Sequence, residues 1–153
     1  MKRRLMSQAG FTLIEVMIVI LLLGIVAALV LPRGLATATN HAAVDAQAQQ
    51  LAGLIRLARE KAMAAGTDYR VIINANNCSL ESEATSASQD KQAQISIDSR
   101  VSIVPQPPLG STIIFNSKGL PQYGGGTIKV QNKGGDPESK NLVINEQGLV
   151  EIN

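Results

Sequence analysis

The chain has 153 residues, 45% of them apolar, with two Phe, two Tyr and no Trp. That length suits one domain plus a terminal segment, and with so few aromatics a core must come from Ile, Val and Leu. The formal charge of +2 rests on Lys2, Arg3 and Arg4; the other residues carry 11 cations against 12 anions, so the balance does not argue for a nucleic-acid partner.

Residues 1–10 are short, basic and polar. From Phe11 to Leu31 a single charge, Glu15, interrupts an apolar run. A helix crosses a bilayer core with roughly 20 apolar residues, so the reading is a transmembrane helix half over 11–32. Three cations precede the run and only Arg33 follows closely, which places the N-terminus in the cytoplasm and the remainder outside. A carboxylate inside such a run is costly and therefore a functional candidate. One competing reading is a secretory signal, since Ala36-Thr37-Ala38 has the small-x-small form of a cleavage site, but the run is too long for that and carries Glu15. A plain bitopic anchor is the better competitor, and it leaves Gly10-Phe11 unexplained.

An amphipathic helix half is expected over 33–66. Val44, Ala48, Leu51, Ile55, Ala58, Ala62 and Ala65 recur every three or four residues as one stripe. Arg56 and Glu60 are spaced as an i, i+4 pair, and Gly66 is the expected stop. The helix from Phe11 to Ala65 would be roughly 80 Å long. Pro32 and Gly34 predict a kink or a short melted stretch, because Pro removes a hydrogen bond and crowds the preceding turn.

Beyond Gly66 the period becomes two, which predicts a β-rich globular domain over 67–153. Strands are expected at 69–75, 78–82, 95–104, 112–116, 127–132, 141–145 and 149–152. Asn76-Asn77, Pro107-Pro108, Gly124-Gly125-Gly126, Gly134-Gly135-Asp136-Pro137 and Gln147-Gly148 mark turns. The polar stretch 83–94 reads as a loop, and no internal repeat is evident. The fold class is α+β, with a long N-terminal helix packed on a small antiparallel sheet or sandwich.

Catalytic and metal chemistry find little support. His41 is the single histidine and Cys78 the single cysteine, so neither a metal set nor a nucleophile–base pair can form from them. Cys78 reads as a small core or strand-edge residue, and no disulfide within the chain is possible. Asp136 and Glu138 around Pro137 give a weak calcium-site pattern. No enzyme and no cofactor are expected.

Gly10-Phe11-Thr12-Leu13-Ile14-Glu15, with its basic leader, apolar helix and Pro32, resembles the processing and assembly motif of type IV pilins and type II secretion pseudopilins. Leu51-Ala52-Gly53-Leu54-Ile55-Arg56-Leu57-Ala58-Arg59-Glu60-Lys61-Ala62 and Ile114-Phe115-Asn116-Ser117-Lys118-Gly119 are similar to the GspH/FimT branch. The resemblance implies that a prepilin peptidase cuts between Gly10 and Phe11 and that Phe11 is N-methylated. It implies a pilin-like fold and a single-pass subunit of a bacterial inner membrane, with a periplasmic globular domain. Such a subunit is built into a pseudopilus or pilus by helix packing against other pilins or pseudopilins. The expected role is a minor pseudopilin of type II secretion near the fibre tip. The alternative is a minor pilin of a type IV pilus, acting in assembly priming, adhesion, motility or DNA uptake.

The residue chemistry agrees. Lys2, Arg3 and Arg4 hold the leader in the cytoplasm, and Gly10 lets the backbone lie extended in a protease cleft. Cleavage creates an ammonium at Phe11 that Glu15 neutralises in a low-dielectric fibre, setting axial register. Some FimT-type proteins take up DNA through a C-terminal Gly-Arg-x-Arg stretch. Here the corresponding place is Gly148-Leu149-Val150-Glu151, without either arginine, so a nucleic-acid partner is not expected. Lys118, Lys129, Lys133 and Lys140 are scattered, as on a solvated surface.

Overall fold

The computed structural model describes residues 11–83, 91–134 and 139–153, and the backbone alone for 29–38 and 91. The leader with Lys2, Arg3, Arg4 and Gly10, most of the expected loop at 83–94, and the Asp136–Glu138 pattern lie outside the described residues. Contacts divide the chain into two compact units, one ending at Thr37 and the other running from Ala38 to Asn153.

Helix α1, Leu13–Ala65, begins where the sequence supplies a cap. Thr12 Oγ1 accepts the Glu15 N–H at 3.3 Å, and Thr12 O accepts the N–H groups of Glu15 and Val16. Thr at the cap with Glu three residues on is the capping-box pattern. The helix stays unbroken through Pro32 and Gly34, so no melted stretch interrupts it. It stops at Gly66, whose φ of 65° lies in the left-handed region that glycine adopts without cost.

In the unit from Ala38 onward, α1 turns its apolar stripe inward. Val44, Ala48, Leu51, Ala52, Leu54, Ile55, Ala58 and Ala62 are all buried. Ala65, expected to continue the stripe, is exposed, because the stripe ends one turn before the helix does.

Among the described residues eight strands follow: β1 Tyr69–Ile73, β2 Asn77–Ser82, β3 Lys91–Ser96, β4 Val101–Pro105, β5 Thr112–Phe115, β6 Gly126–Asn132, β7 Ser139–Ile144 and β8 Val150–Ile152. They form two four-stranded sheets, ordered β3-β2-β1-β5 and β4-β6-β7-β8, with every pairing antiparallel. Period-two alternation sends Tyr69, Val71 and Ile73 of β1, Ile113 and Phe115 of β5, and Ile128 and Val130 of β6 into one core with the helix stripe. Each fully buried aliphatic side chain in such a core contributes about 1.5–3 kcal/mol.

The expected strand over 95–104 is two strands in different sheets. The break falls at Asp98, whose carboxylate accepts from Arg100 N at 2.9 Å, Nε at 3.0 Å and Nη2 at 2.7 Å. That fork folds the chain back before a ladder can continue, and Arg100 holds the Asp98 carboxyl down at about 2. The expected loop at 83–94 gives up its last residues to β3, a polar edge strand paired to β2 across an irregularity at Leu80/Glu81.

Two polar side chains of the helix serve the crossings between sheets. Gln47, buried among the stripe, accepts from Asp98 N at 3.0 Å and donates to Ser96 O at 3.4 Å, at the β3–β4 crossover. Arg59 Nε donates to Gly119 O at 3.2 Å in the turn after β5.

That turn is built twice. Asn116-Ser117-Lys118-Gly119-Leu120 and Asn145-Glu146-Gln147-Gly148-Leu149 share one hydrogen-bond scheme. Asn Oδ1 accepts the Leu N–H at 3.0 and 2.8 Å, Asn O accepts the Gly N–H at 2.8 and 2.9 Å, and the glycines have φ of 76° and 75°. A Cβ at Gly148 would stand 2.5 Å from Gly119 O, so the two turns meet closely only because Gly148 lacks one.

Candidate functional site

The first candidate lies at the start of α1. Phe11 is 80% exposed, and Leu13, Ile14 and the large apolar side chains from Val16 to Val26 are exposed with it. The cap at Thr12 leaves Phe11 just outside the helix and Glu15 in its first turn, where a negative charge is favoured by the helix dipole. Phe11, Glu15, Val16, Val19 and Ile20 line one cavity of about 260 Å³, so Phe11 and Glu15 share a flank. Thr12 was not singled out from the sequence, although Thr-x-x-Glu before an apolar run is a readable signal. Pro32 lies in the helix among residues whose backbone alone is described. Among the described residues, no helix is long and apolar enough to cross a membrane. The run counted from the sequence continues past Ala28 into positions whose side chains lie outside the described residues.

The second candidate lies where α1 meets β8. A cavity of about 330 Å³ is lined by Arg56, Arg59, Glu60, Gly148, Leu149, Val150 and Glu151. Arg56 was expected to face Glu60; its observed partner is Val150 O, to which Nη2 donates at 3.0 Å. Both arginines thus stand beside the segment from which tail arginines are missing. The cavity holds as many carboxylates as guanidiniums, so it offers no net positive field for phosphates. Lys140 is engaged with Asp45 at 3.3 Å.

Cys78 is buried, and burial pushes its thiol up to about 11, which keeps it protonated and inert. His41 is half-buried on α1. Among the described residues no three His, Cys, Asp or Glu side chains converge as metal ligands. The buried Glu81 is served by structural partners, Arg70 Nε at 3.6 Å and Ser79 Oγ at 3.5 Å.

A model of the prokaryotic N-terminal methylation motif matches residues 5–31, and a model of type II transport protein GspH matches residues 47–148. Among solved structures, the type IV minor pilin FimU of Pseudomonas aeruginosa PAO1 is similar with a TM-score of 0.62 at 13% identity, over 72% of this chain and 87% of that one. The minor pseudopilin EpsH of the Vibrio cholerae type 2 secretion system gives 0.57 at 17% identity, over 72% and 95%. At these identities the likeness speaks for the pilin-like α+β fold. No curated protein matches this chain significantly. With the GspH model covering most of its length and the methylation motif ahead of it, the chain belongs to the type II transport protein GspH family.

Proposed function

We propose that this chain is a minor pseudopilin precursor of a type II secretion pseudopilus, with a structural and not a catalytic role. The observation that carries the reading is the pairing of two unlike regions. An exposed apolar helix opens on Phe11 and a capped Glu15, and a separately packed core unit follows from Ala38. The leader 1–10 is removed by a prepilin peptidase between Gly10 and Phe11, and Phe11 is N-methylated. The segment 11–32 anchors the subunit in the inner membrane and later packs against other pilins or pseudopilins, with a kink at Pro32. The unit that follows is periplasmic. Lys2, Arg3 and Arg4 keep the leader on the cytoplasmic side. Glu15 neutralises a Phe11 ammonium in the fibre, where low dielectric makes the pairing strong, and so sets axial register. The match to the N-terminal methylation motif supports this reading of the first 31 residues.

The second reading is a minor pilin of a type IV pilus. FimU, a minor pilin, has the same fold, which favours keeping it. The test of the shared mechanism is Glu15→Ala. Cleavage should proceed as in the native chain while incorporation into fibres falls. Native-level incorporation would contradict the register role. A bulky residue at Gly10 should accumulate precursor, and normal processing of such a variant would contradict the cleft argument.

A further inference from the structure

The open edge of β8 is the feature that fold and family leave unused. β8 ends the order β4-β6-β7-β8, so among the described residues no strand lies beside its other edge. The ladder fixes which groups face that edge. Asn141 and Asn153 exchange both main-chain bonds at 2.9 Å, and Asn145 N–H donates to Leu149 O at 3.0 Å. In an antiparallel ladder the bonded pairs alternate, so the N–H and C=O groups of Val150 and Ile152 point away from β7. Arg56 donates to Val150 O from the helix, standing where the N–H of an added strand would stand. The cavity of about 330 Å³ lies along this edge, with Arg56, Arg59 and Glu60 as one wall and Gly148–Glu151 as the other.

We infer that the groove between α1 and β8 accepts an extended segment of another protein as an added strand, with Arg56 as the place-holder that it displaces. Main-chain bonds to Val150 and Ile152 supply the attachment, and side chains supply the choice of partner. Glu151 and the half-exposed Leu149 share the outer face of β8. The incoming strand therefore carries a Lys or Arg opposite Glu151 and an apolar residue beside Leu149. A second copy of this chain is a poorer partner: its β8 carries no Lys or Arg to stand opposite Glu151, and in the register centred on residue 151 the two Glu151 side chains face each other and repel. The groove lies wholly within the Ala38–Asn153 unit, so the inference stands independently of processing and fibre assembly.

Two capped peptides of alternating valine and threonine, differing only in a central lysine or glutamate, test it against the full-length protein in detergent by fluorescence anisotropy. The lysine peptide should bind about tenfold more tightly than the glutamate peptide. Glu151→Lys should invert that preference, which a non-specific apolar contact cannot do. Arg56→Gln should tighten binding of the lysine peptide by freeing Val150 O. Ile152→Pro removes an edge N–H that serves no neighbour in the ladder, and should abolish binding with little change in Tm. Absence of binding, equal affinity for both peptides in the native chain and in Glu151→Lys, or full binding by Ile152→Pro would overturn the inference.

Discussion

The two halves of α1 bury apolar side chains in opposite ways. From Phe11 to Val26 the large apolar side chains stand exposed. From Val44 to Ala62 they lie under two sheets in a closed core. Exposure on that scale on a helix calls for another environment, a bilayer or neighbouring helices. On the proposed reading, the difference separates stability, which resides after Ala38, from assembly, which resides before it.

Leu51→Ala, in the buried stripe, should cost about 3 kcal/mol and lower Tm markedly, whereas Leu22→Ala in the exposed half should leave the melt of the core unit unchanged. Equal effects would erase the contrast. Next in size is Gly148→Ala, which combines a φ of 75° with the close approach to Gly119 O and should cost about 1–3 kcal/mol. Gly53→Ala sharpens the comparison from the other side. Its site on the exposed face of α1 is open, so the variant should gain up to about 1 kcal/mol. Native Cys78 should resist alkylation until the core opens, and rapid labelling of the folded protein would contradict its burial.

The smallest effect concerns pH. The carboxyl of Asp98 is lowered from 3.8 to about 2 by Arg100, so its contribution is present above 3.8 and is lost as pH falls towards about 2. The pair is solvent-exposed and the contribution small. Asp98→Asn should flatten the acid limb of the stability curve slightly, and a large loss near neutral pH would contradict this.

The sequence was most legible where side-chain periodicity meets burial. Six of the seven residues assigned to the helix stripe are buried, and Gly66 ends the helix. It was least legible where polar groups decide the course. β3 is a polar edge strand, so its composition resembles a loop, and the Asp98–Arg100 fork splits an alternating stretch that reads as one strand. Gln47 sits in an apolar stripe because its amide serves the crossover, which only the folded chain reveals. The doubled Asn-x-x-Gly-Leu turn was present as a pattern, yet its meaning depends on two left-handed glycines. At the candidate site Phe11 and Glu15 were legible from their motif, whereas Arg56 was assigned Glu60 as a neighbour and found Val150 O across 94 residues.

The most direct test of the central claim is the intact mass and N-terminal sequence of the protein recovered from its own cells. A chain beginning at methylated Phe11 is the predicted result. A chain that still begins at Met1 in assembled material would contradict the account.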